Sequence, residues 1–296
     1  MVSRVSVLIP NWNGAADTIE CLESLARQDC GPNAMEVLVV DNGSVDGSIE
    51  LLREKLAALH RCFRRAVLIP LKENLGPAGA YNAAYDAVSA DCSAILRLDN
   101  DVVLPPNAIS CLLARLDTNM DVAAVGCRII SDDRSHRMEH HFGAMIVDWW
   151  RGRTAVVYPQ DDLVCDGVAG CAMLIRRAAL ANLSFFFDSS RFLANELELC
   201  LRLKNCGWKI LYTPNIEIYH KGARSSNKVT RLIDYEARRD GVLVHLQYNR
   251  GLRRSFCLLG LAVRGGIKYL RGQPITFQAL VAAVRYYRAA SREVRP

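Results

Sequence analysis

The sequence predicts an α/β fold with a mainly parallel sheet flanked by helices. Three observations predict it. Short apolar or β-branched runs recur at regular intervals over the first 130 residues, the segments between them show helical spacing, and three of the runs end in clusters of Asn, Asp and Gly. In a sheet of this kind, ligands bind at the carboxyl ends of the strands, so those polar ends are the first functional pointer.

The predicted strands are Val5–Ile9, Val37–Val40, Ala66–Ile69, Ala94–Leu98 and Val122–Cys127. Between the second and third, Ile49, Leu52, Leu56 and Leu59 repeat at helical spacing behind Asp46, which reads as an N-cap. Pro77 stands where the next helix would begin, followed by Tyr81, Ala84 and Val88. The alternation fades after residue 130. Ser131–Asp166 reads as a loop-and-hairpin insertion containing His136, His140, His141, Trp149 and Trp150. An apolar run, Val168–Ile175, follows with Gly167 and Gly170 about it; then come a helix from about Ala194 to Cys206, closed by Gly207, and a strand over Trp208–Tyr212.

The chain has 296 residues, 51% of them hydrophobic, which is ample for a folded core and excludes a disordered chain. No apolar run approaches the ~18 residues of a membrane span, and Val5–Pro10 is too short for a signal-peptide core, so a cytoplasmic protein is expected, with a peripheral place at the inner membrane face left open. The 11 cysteines form no CxxC pair and mostly fall in apolar patterns, as reduced, buried small hydrophobes do; a zinc site is not expected. The net charge of +6 hides an asymmetry. Residues 221–296 hold 16 Lys+Arg against four acids, a local charge of +12, so the first 220 residues carry −6.

Asp99 and Asp101 carry the sharpest chemical signal. They follow an apolar strand at i and i+2, positions that point the same way in extended chain. Two carboxylates so placed repel unless a cation lies between them, and a hard divalent ion with diphosphate oxygens in its other positions suits such ligands. Asp41, ending the second strand, could accept a hydrogen bond from a nucleobase or ribose. No phosphate-binding G-x-x-x-x-G-K-[ST] loop occurs and no G-x-G-x-x-G follows the first strand, which disfavours hydride transfer to a nicotinamide cofactor.

At this point the chain resembles the inverting nucleotide-sugar glycosyltransferases of family 2, which have the GT-A fold, a Rossmann-like nucleotide-binding half. The resemblance is carried in order by Val5–Asn13, Val39–Ser48, Asn74-Leu75-Gly76-Pro77-Ala78-Gly79-Ala80-Tyr81-Asn82, Leu98-Asp99-Asn100-Asp101, Gly170–Arg177, Glu198–Arg202 with Gly207, and Tyr219-His220-Lys221-Gly222. The Asn-Leu-Gly stretch is similar to the rhamnosyltransferase-type branch. The resemblance implies that Asp41 contacts the nucleobase, that Asp99 contacts the ribose or the metal, and that Asp101 holds Mg²⁺ or Mn²⁺ on the donor diphosphate with His220 as a further metal or phosphate ligand. The resemblance also implies that the backbone of Pro10, Asn11 and Asn13 lines the nucleotide pocket and that Asn74, Gly76, Gly79, Asn82, Asn100 and Gly170 join the donor site.

Where the family usually shows Glu-Asp-x-Asp-Leu, this chain has Asn195-Glu196-Leu197-Glu198-Leu199. Residues two apart on a helix lie ~200° around the axis, so the two glutamates cannot share a face. Glu198 stands four before Arg202, the spacing of a helical ion pair, while Glu196 aligns with the family's base. Glu196 is therefore the expected catalytic base and Glu198 the fallback. The implied reaction is a single inverting displacement that moves a sugar from a UDP-, dTDP- or GDP-sugar to a hydroxyl of a glycan, lipid-linked or small-molecule acceptor.

The expected organisation is a catalytic domain over residues 1–226 and a basic, mainly helical extension over 227–296. That extension mixes cations with apolar residues, as in Arg250–Phe256 and Ala282–Tyr287. Two readings stand: helices lying on an anionic membrane surface, or a helical cap with a solvated basic face. No nucleic-acid module is visible. Homo-oligomerisation is left open. The alternatives to a glycosyltransferase are a non-catalytic sugar-nucleotide-binding subunit and a nucleotidyltransferase, the latter weakened by Asn11-Trp12-Asn13-Gly14 where a basic, glycine-rich loop belongs.

Overall fold

The computed structural model describes residues 4–131, 142–181, 183, 185, 195–222 and 230–293. The expected His136, His140 and His141 and the boundary at residues 226 and 227 lie outside them. The chain divides into two compact units, one formed by residues 1–145, 156–190 and 195–222, the other by 146–155, 191–194 and 223–296.

The first unit opens with the predicted alternation: β1 (Val5–Asn11), α1 (Ala15–Ala26), β2 (Met35–Asp41), α2 (Ser48–Ala58), β3 (Arg65–Pro70), α3 (Gly76–Asp86) and β4 (Ala94–Leu98). There follow β5 (Val102–Val103), α4 (Ala108–Thr118), β6 (Val122–Ser131), β7 (Ala144–Asp148), β8 (Arg153–Val157), β9 (Leu163–Cys165), β10 (Gly167–Val168), β11 (Ala172–Arg176), α5 (Asn195–Asn205) and β12 (Lys209–His220). Among the described residues, the large sheet runs β3-β2-β1-β4-β11-β6-β12-β5, with β9 also on β12; β10, β7 and β8 form a small second sheet.

Strands β3, β2, β1 and β4 are mutually parallel, in the register Val5↔Met35 and Val5↔Ala94. β1, β2 and β4 are buried on both faces, which is why they read as continuous apolar runs. The core joins Val7, Val37 and Leu96 to Leu22, Leu52 and Leu112 of the covering helices. β11 enters antiparallel between β4 and β6, a reversal that no residue pattern announces.

Two local readings change. Asp46 precedes the cap position of α2, which Gly47 fills, yet its carboxylate still accepts from the Ser48 N–H at 3.1 Å. The strand expected to end at Tyr212 continues to His220. Thr213-Pro214-Asn215 looks like a turn but is absorbed in a register shift between Thr213 and Glu217, after which pairing with β6 resumes. That continuation carries His220 to the site.

The second unit contains α6 (Thr230–Tyr248), α7 (Gly251–Leu270), α8 (Ile275–Glu293) and the tip of the β7–β8 hairpin. α8 packs on both α6 and α7. Within the unit the Asn249 amide donates to the Trp149 carbonyl at 2.6 Å, and the Arg264 guanidinium donates to the Arg151 carbonyl at 2.5 Å. Among the described residues no helix is long and apolar enough to cross a membrane. The described cysteines are all free and mostly buried, and burial pushes the Cys165 and Cys200 thiols up to about 12.

Candidate active site

The carboxyl ends of β1 and β2 are tied together by side-chain amides. The Asn11 amide donates to Asp41 Oδ2 at 2.8 Å, and the Ser44 N–H donates to Asp41 Oδ1 at 2.9 Å. Asn13, in left-handed backbone at φ 49°, donates its N–H to the Ser44 hydroxyl at 2.8 Å and accepts from the Val45 N–H at 2.9 Å. Asn42 extends the network to the third loop, donating to Asn74 Oδ1 at 2.9 Å and accepting from the Leu75 N–H at 2.9 Å. Gly43 lies between these loops at φ 75°, where a Cβ would stand 2.7 Å from the Glu73 carbonyl carbon. Gly76 and Gly79 lie in the first turn of α3, with Asn82 one turn on.

Asp41, expected on a nucleobase, is fully buried, and both of its oxygens are engaged by Asn11 and Ser44. In this structure it braces the loops, each of its oxygens accepting one of these hydrogen bonds. Pro10 and Asn13 remain the more open members of this edge.

Asp99, Asp101 and His220 converge. One oxygen of each carboxylate and one imidazole nitrogen all lie within 4.8 Å of one another. β4 delivers the two acids, and β5 then pairs antiparallel with the end of β12 as His220↔Val102, which places His220 Nε2 3.0 Å from Asp101 Oδ1. The Lys221 N–H donates to the Asp101 carbonyl at 3.0 Å, while Lys221 Nζ spans Asp17 at 2.7 Å and Glu20 at 2.5 Å on α1. Asn100 turns the other way, donating to the Thr18 hydroxyl at 3.0 Å. Thr18 in turn donates to Asn11 Oδ1 at 2.8 Å, linking the Asp-x-Asp loop to β1.

Burial opposes the charge of both Asp101 and His220, but their mutual hydrogen bond and attraction outweigh it. The Asp101 carboxyl is held below its ordinary value and the His220 imidazole above. The donor set of two carboxylates and an imidazole suits Mg²⁺ or Mn²⁺, and His220 Nδ1 is buried with no hydrogen-bond partner among the described residues.

Arg97, which the sequence reading passed over, organises the other half of the site. It is the penultimate residue of β4, with 7% exposure. Its guanidinium stands 4.7 Å over the Tyr81 ring, 4.0 Å from Asp99 Oδ1 and 3.9 Å from Glu196 Oε2. The Tyr81 hydroxyl donates to Asp99 Oδ1 at 2.6 Å. Burial raises the Tyr81 phenol well above its ordinary value, reinforced by Asp99, so it stays a proton donor in this bond. Burial also raises the Glu196 carboxyl, and Arg97 offsets this only in part. The detectable signal was an arginine inside an apolar strand, since a buried cation is retained only beside partners.

Helix α5 separates its two glutamates as its geometry requires. Glu196 is partly exposed and faces Arg97, whereas Glu198 is 1% exposed and pairs with Arg202 at 3.0 Å. Arg202 also donates to the Phe185 carbonyl at 3.1 Å. Glu198, the fallback base, is thus held in a buried ion pair on the opposite side of the helix.

A family profile described as glycosyl transferase family 2 matches residues 6–184. An N-acetylglucosaminyltransferase of Bradyrhizobium diazoefficiens is 29% identical over 229 residues, 73% of this chain and 44% of that protein. An undecaprenyl-phosphate 4-deoxy-4-formamido-L-arabinose transferase of Edwardsiella ictaluri is 34% identical over 122 residues, 41% of this chain and 36% of its own length. The chain spans less than half the length of these curated relatives. Among solved structures, a mannosyltransferase from Pyrobaculum calidifontis in complex with GDP-Man and Mn²⁺ aligns with a TM-score of 0.65 at 17% identity, covering 100% of this chain and 77% of that one. TarS of S. aureus in complex with UDP aligns at 0.58 and 18% identity, over 89% of this chain and 72% of its own. The sheet order and flanking helices are those of the GT-A fold. With the profile matched over more than half of its length, the chain belongs to glycosyl transferase family 2.

Proposed function

We propose that the protein is an inverting, metal-dependent glycosyltransferase that moves a sugar from a nucleoside-diphosphate donor to an acceptor hydroxyl. The observation that carries this reading is the convergence of Asp99, Asp101 and His220 at the strand ends, with Glu196 held across from them by Arg97. Asp99, Asp101 and His220 would hold Mg²⁺ or Mn²⁺, which when bound supplies positive charge to the leaving diphosphate. The solved relatives bind GDP-Man with Mn²⁺, and UDP, which supports a nucleotide-sugar donor here.

The chain's own residues divide the remaining work. Glu196 takes the proton of the acceptor hydroxyl as that oxygen attacks the anomeric carbon. Its raised carboxyl brings its proton affinity closer to neutral, which favours it as a base. Arg97 positions Glu196 relative to Asp99, and Tyr81 fixes the orientation of Asp99 by donating to it. The interlocked loops of Asn11, Asn13, Asp41, Asn42 and Asn74 form a preset rim for the nucleotide. One displacement inverts the anomeric centre and needs no covalent nucleophile.

The test is release of nucleoside diphosphate by the purified protein from UDP-, GDP- and dTDP-sugars, with and without Mn²⁺, against Asp101→Ala and Glu196→Gln. Metal-dependent release from one donor, lost in both variants, is the expected result. Failure of the folded protein to bind any sugar nucleotide in the presence of Mn²⁺ overturns the reading.

A further inference from the structure

Helix α7 carries an apolar stripe that faces away from its own bundle. Leu252, Phe256, Leu259, Val263, Ile267 and Leu270 recur at spacings of four and three, and each is at least 45% exposed. At 100° per residue they fall within an arc of about 80°. The opposite side of the helix is the packed one, where Cys257 and Gly265 are buried and a Cβ placed on Gly265 would stand 3.5 Å from the Phe277 Cα. Trp150, from the hairpin tip in the same unit, is 55% exposed and meets Phe256 edge to face at 5.9 Å. A continuous exposed stripe of this kind is uncommon on a protein with no partner for it.

The charge around the stripe selects the partner. Between Asp240 and Glu293 the chain has nine Lys+Arg and no acid. α7 itself has Arg253, Arg254, Arg264 and Lys268, with Arg250 and Arg271 at its ends. Arg153, Arg238, Arg264 and Lys268 also share a cavity of about 590 Å³ in this unit, whose lining contains no carboxylate. Two copies of the stripe facing each other would bring cations against cations. An anionic bilayer offers apolar depth for the stripe and phosphates for its flank.

We propose that α7 is a membrane-surface helix, lying in the interface of an anionic bilayer with its Leu252–Leu270 stripe in the acyl boundary and the cations of its flank, Arg253 and Arg271, against lipid phosphates. Trp150 belongs to the headgroup level, where aromatic rings with a polar edge collect. The inference rests on the second unit alone and does not depend on the chemistry assigned to the sugar-nucleotide site.

The test is sedimentation of the full chain with vesicles of mixed phosphatidylglycerol and phosphatidylcholine, and with phosphatidylcholine alone, at low and high salt. Light scattering of the free protein runs in parallel. The expected result is binding to the anionic vesicles that weakens with salt, by a monomer, and that falls about tenfold or more in Phe256→Glu/Val263→Glu. Because both side chains are exposed, the variant should keep the wild-type circular dichroism and Tm. Arg253→Glu/Arg271→Glu leaves the stripe intact and should also lose the anionic vesicles. Absence of sedimentation at low salt overturns the proposal, as does undiminished binding of either variant. A dimer that dissociates in Phe256→Glu/Val263→Glu, with no vesicle binding, would assign the stripe to a second copy of the chain.

Discussion

The Arg97 guanidinium fills the space that any side chain at residue 170 would need: a Cβ placed on Gly170 would lie 1.4 Å from Arg97 Nη1. β4 and the turn before β11 are thereby coupled, and the cation is pressed toward Asp99 and Glu196. Gly170→Ala should displace Arg97 and lower kcat/KM by about a hundredfold, the scale of a 1 Å misplacement. Arg97→Lys keeps the charge but loses the planar fork and should show a loss of similar direction. Donor turnover by each variant, with Tm measured alongside, checks this. Wild-type turnover in Gly170→Ala would dissolve the coupling.

The two glutamates of α5 should separate activity from stability. Glu196→Gln is expected to lower kcat by about a hundred- to ten-thousand-fold with little change in Tm, the range of a general base. Glu198→Ala leaves Arg202 buried without its carboxylate and is expected to cost about 3 kcal/mol of stability, measured by denaturant unfolding. Since burial raises the Glu196 carboxyl, the rate should fall as pH drops through a value above the ordinary glutamate range. An unchanged pH profile in Glu196→Gln would assign that limb to another group.

Asp101 and His220 should act together on the divalent ion. Asp101→Asn and His220→Ala should each weaken Mn²⁺ binding at least about tenfold, a floor set by what even outer-shell changes cost. Calorimetric titration of Mn²⁺ into the full chain reads this without turnover. Wild-type affinity in both variants would place the ion elsewhere.

His245, 4% exposed beneath Trp149, should make the second unit acid-labile. Burial, with Arg264 nearby, lowers its imidazole from 6.5 to about 4. The unfolded chain therefore takes up the proton first. The stability the neutral ring contributes is complete above about pH 6.5 and is lost as pH falls toward 4. Between pH 7.5 and 5 the expected loss is about 2 kcal/mol, and His245→Phe should flatten that slope in chemical unfolding followed at both pH values.

Much of the first unit is legible in residue patterns because β1, β2 and β4 are buried on both faces and must be apolar throughout. The turn residues at their ends mark where the chain leaves the sheet, and Asp99 and Asp101 stand out there because paired acids are costly without a cation. β12 was harder to read. Pro214 and Asn215 have the composition of a turn, and only the resumed pairing with β6 shows that the strand runs on to His220.

By itself, the sequence determined the strand–helix alternation, the acids at the strand ends, the separation of Glu196 from Glu198 by helical geometry and the basic C-terminal segment. These follow from local spacing and from charge. Tertiary structure alone decided that β11 inserts antiparallel, that Asp41 is closed off by Asn11 and Ser44, that Arg97 bridges Asp99 and Glu196 through the space kept by Gly170, and that the Leu252–Leu270 side of α7 is the exposed one. Each of these depends on which distant segments meet, and burial and pairing across 30 to 100 residues leave no periodic trace in the chain.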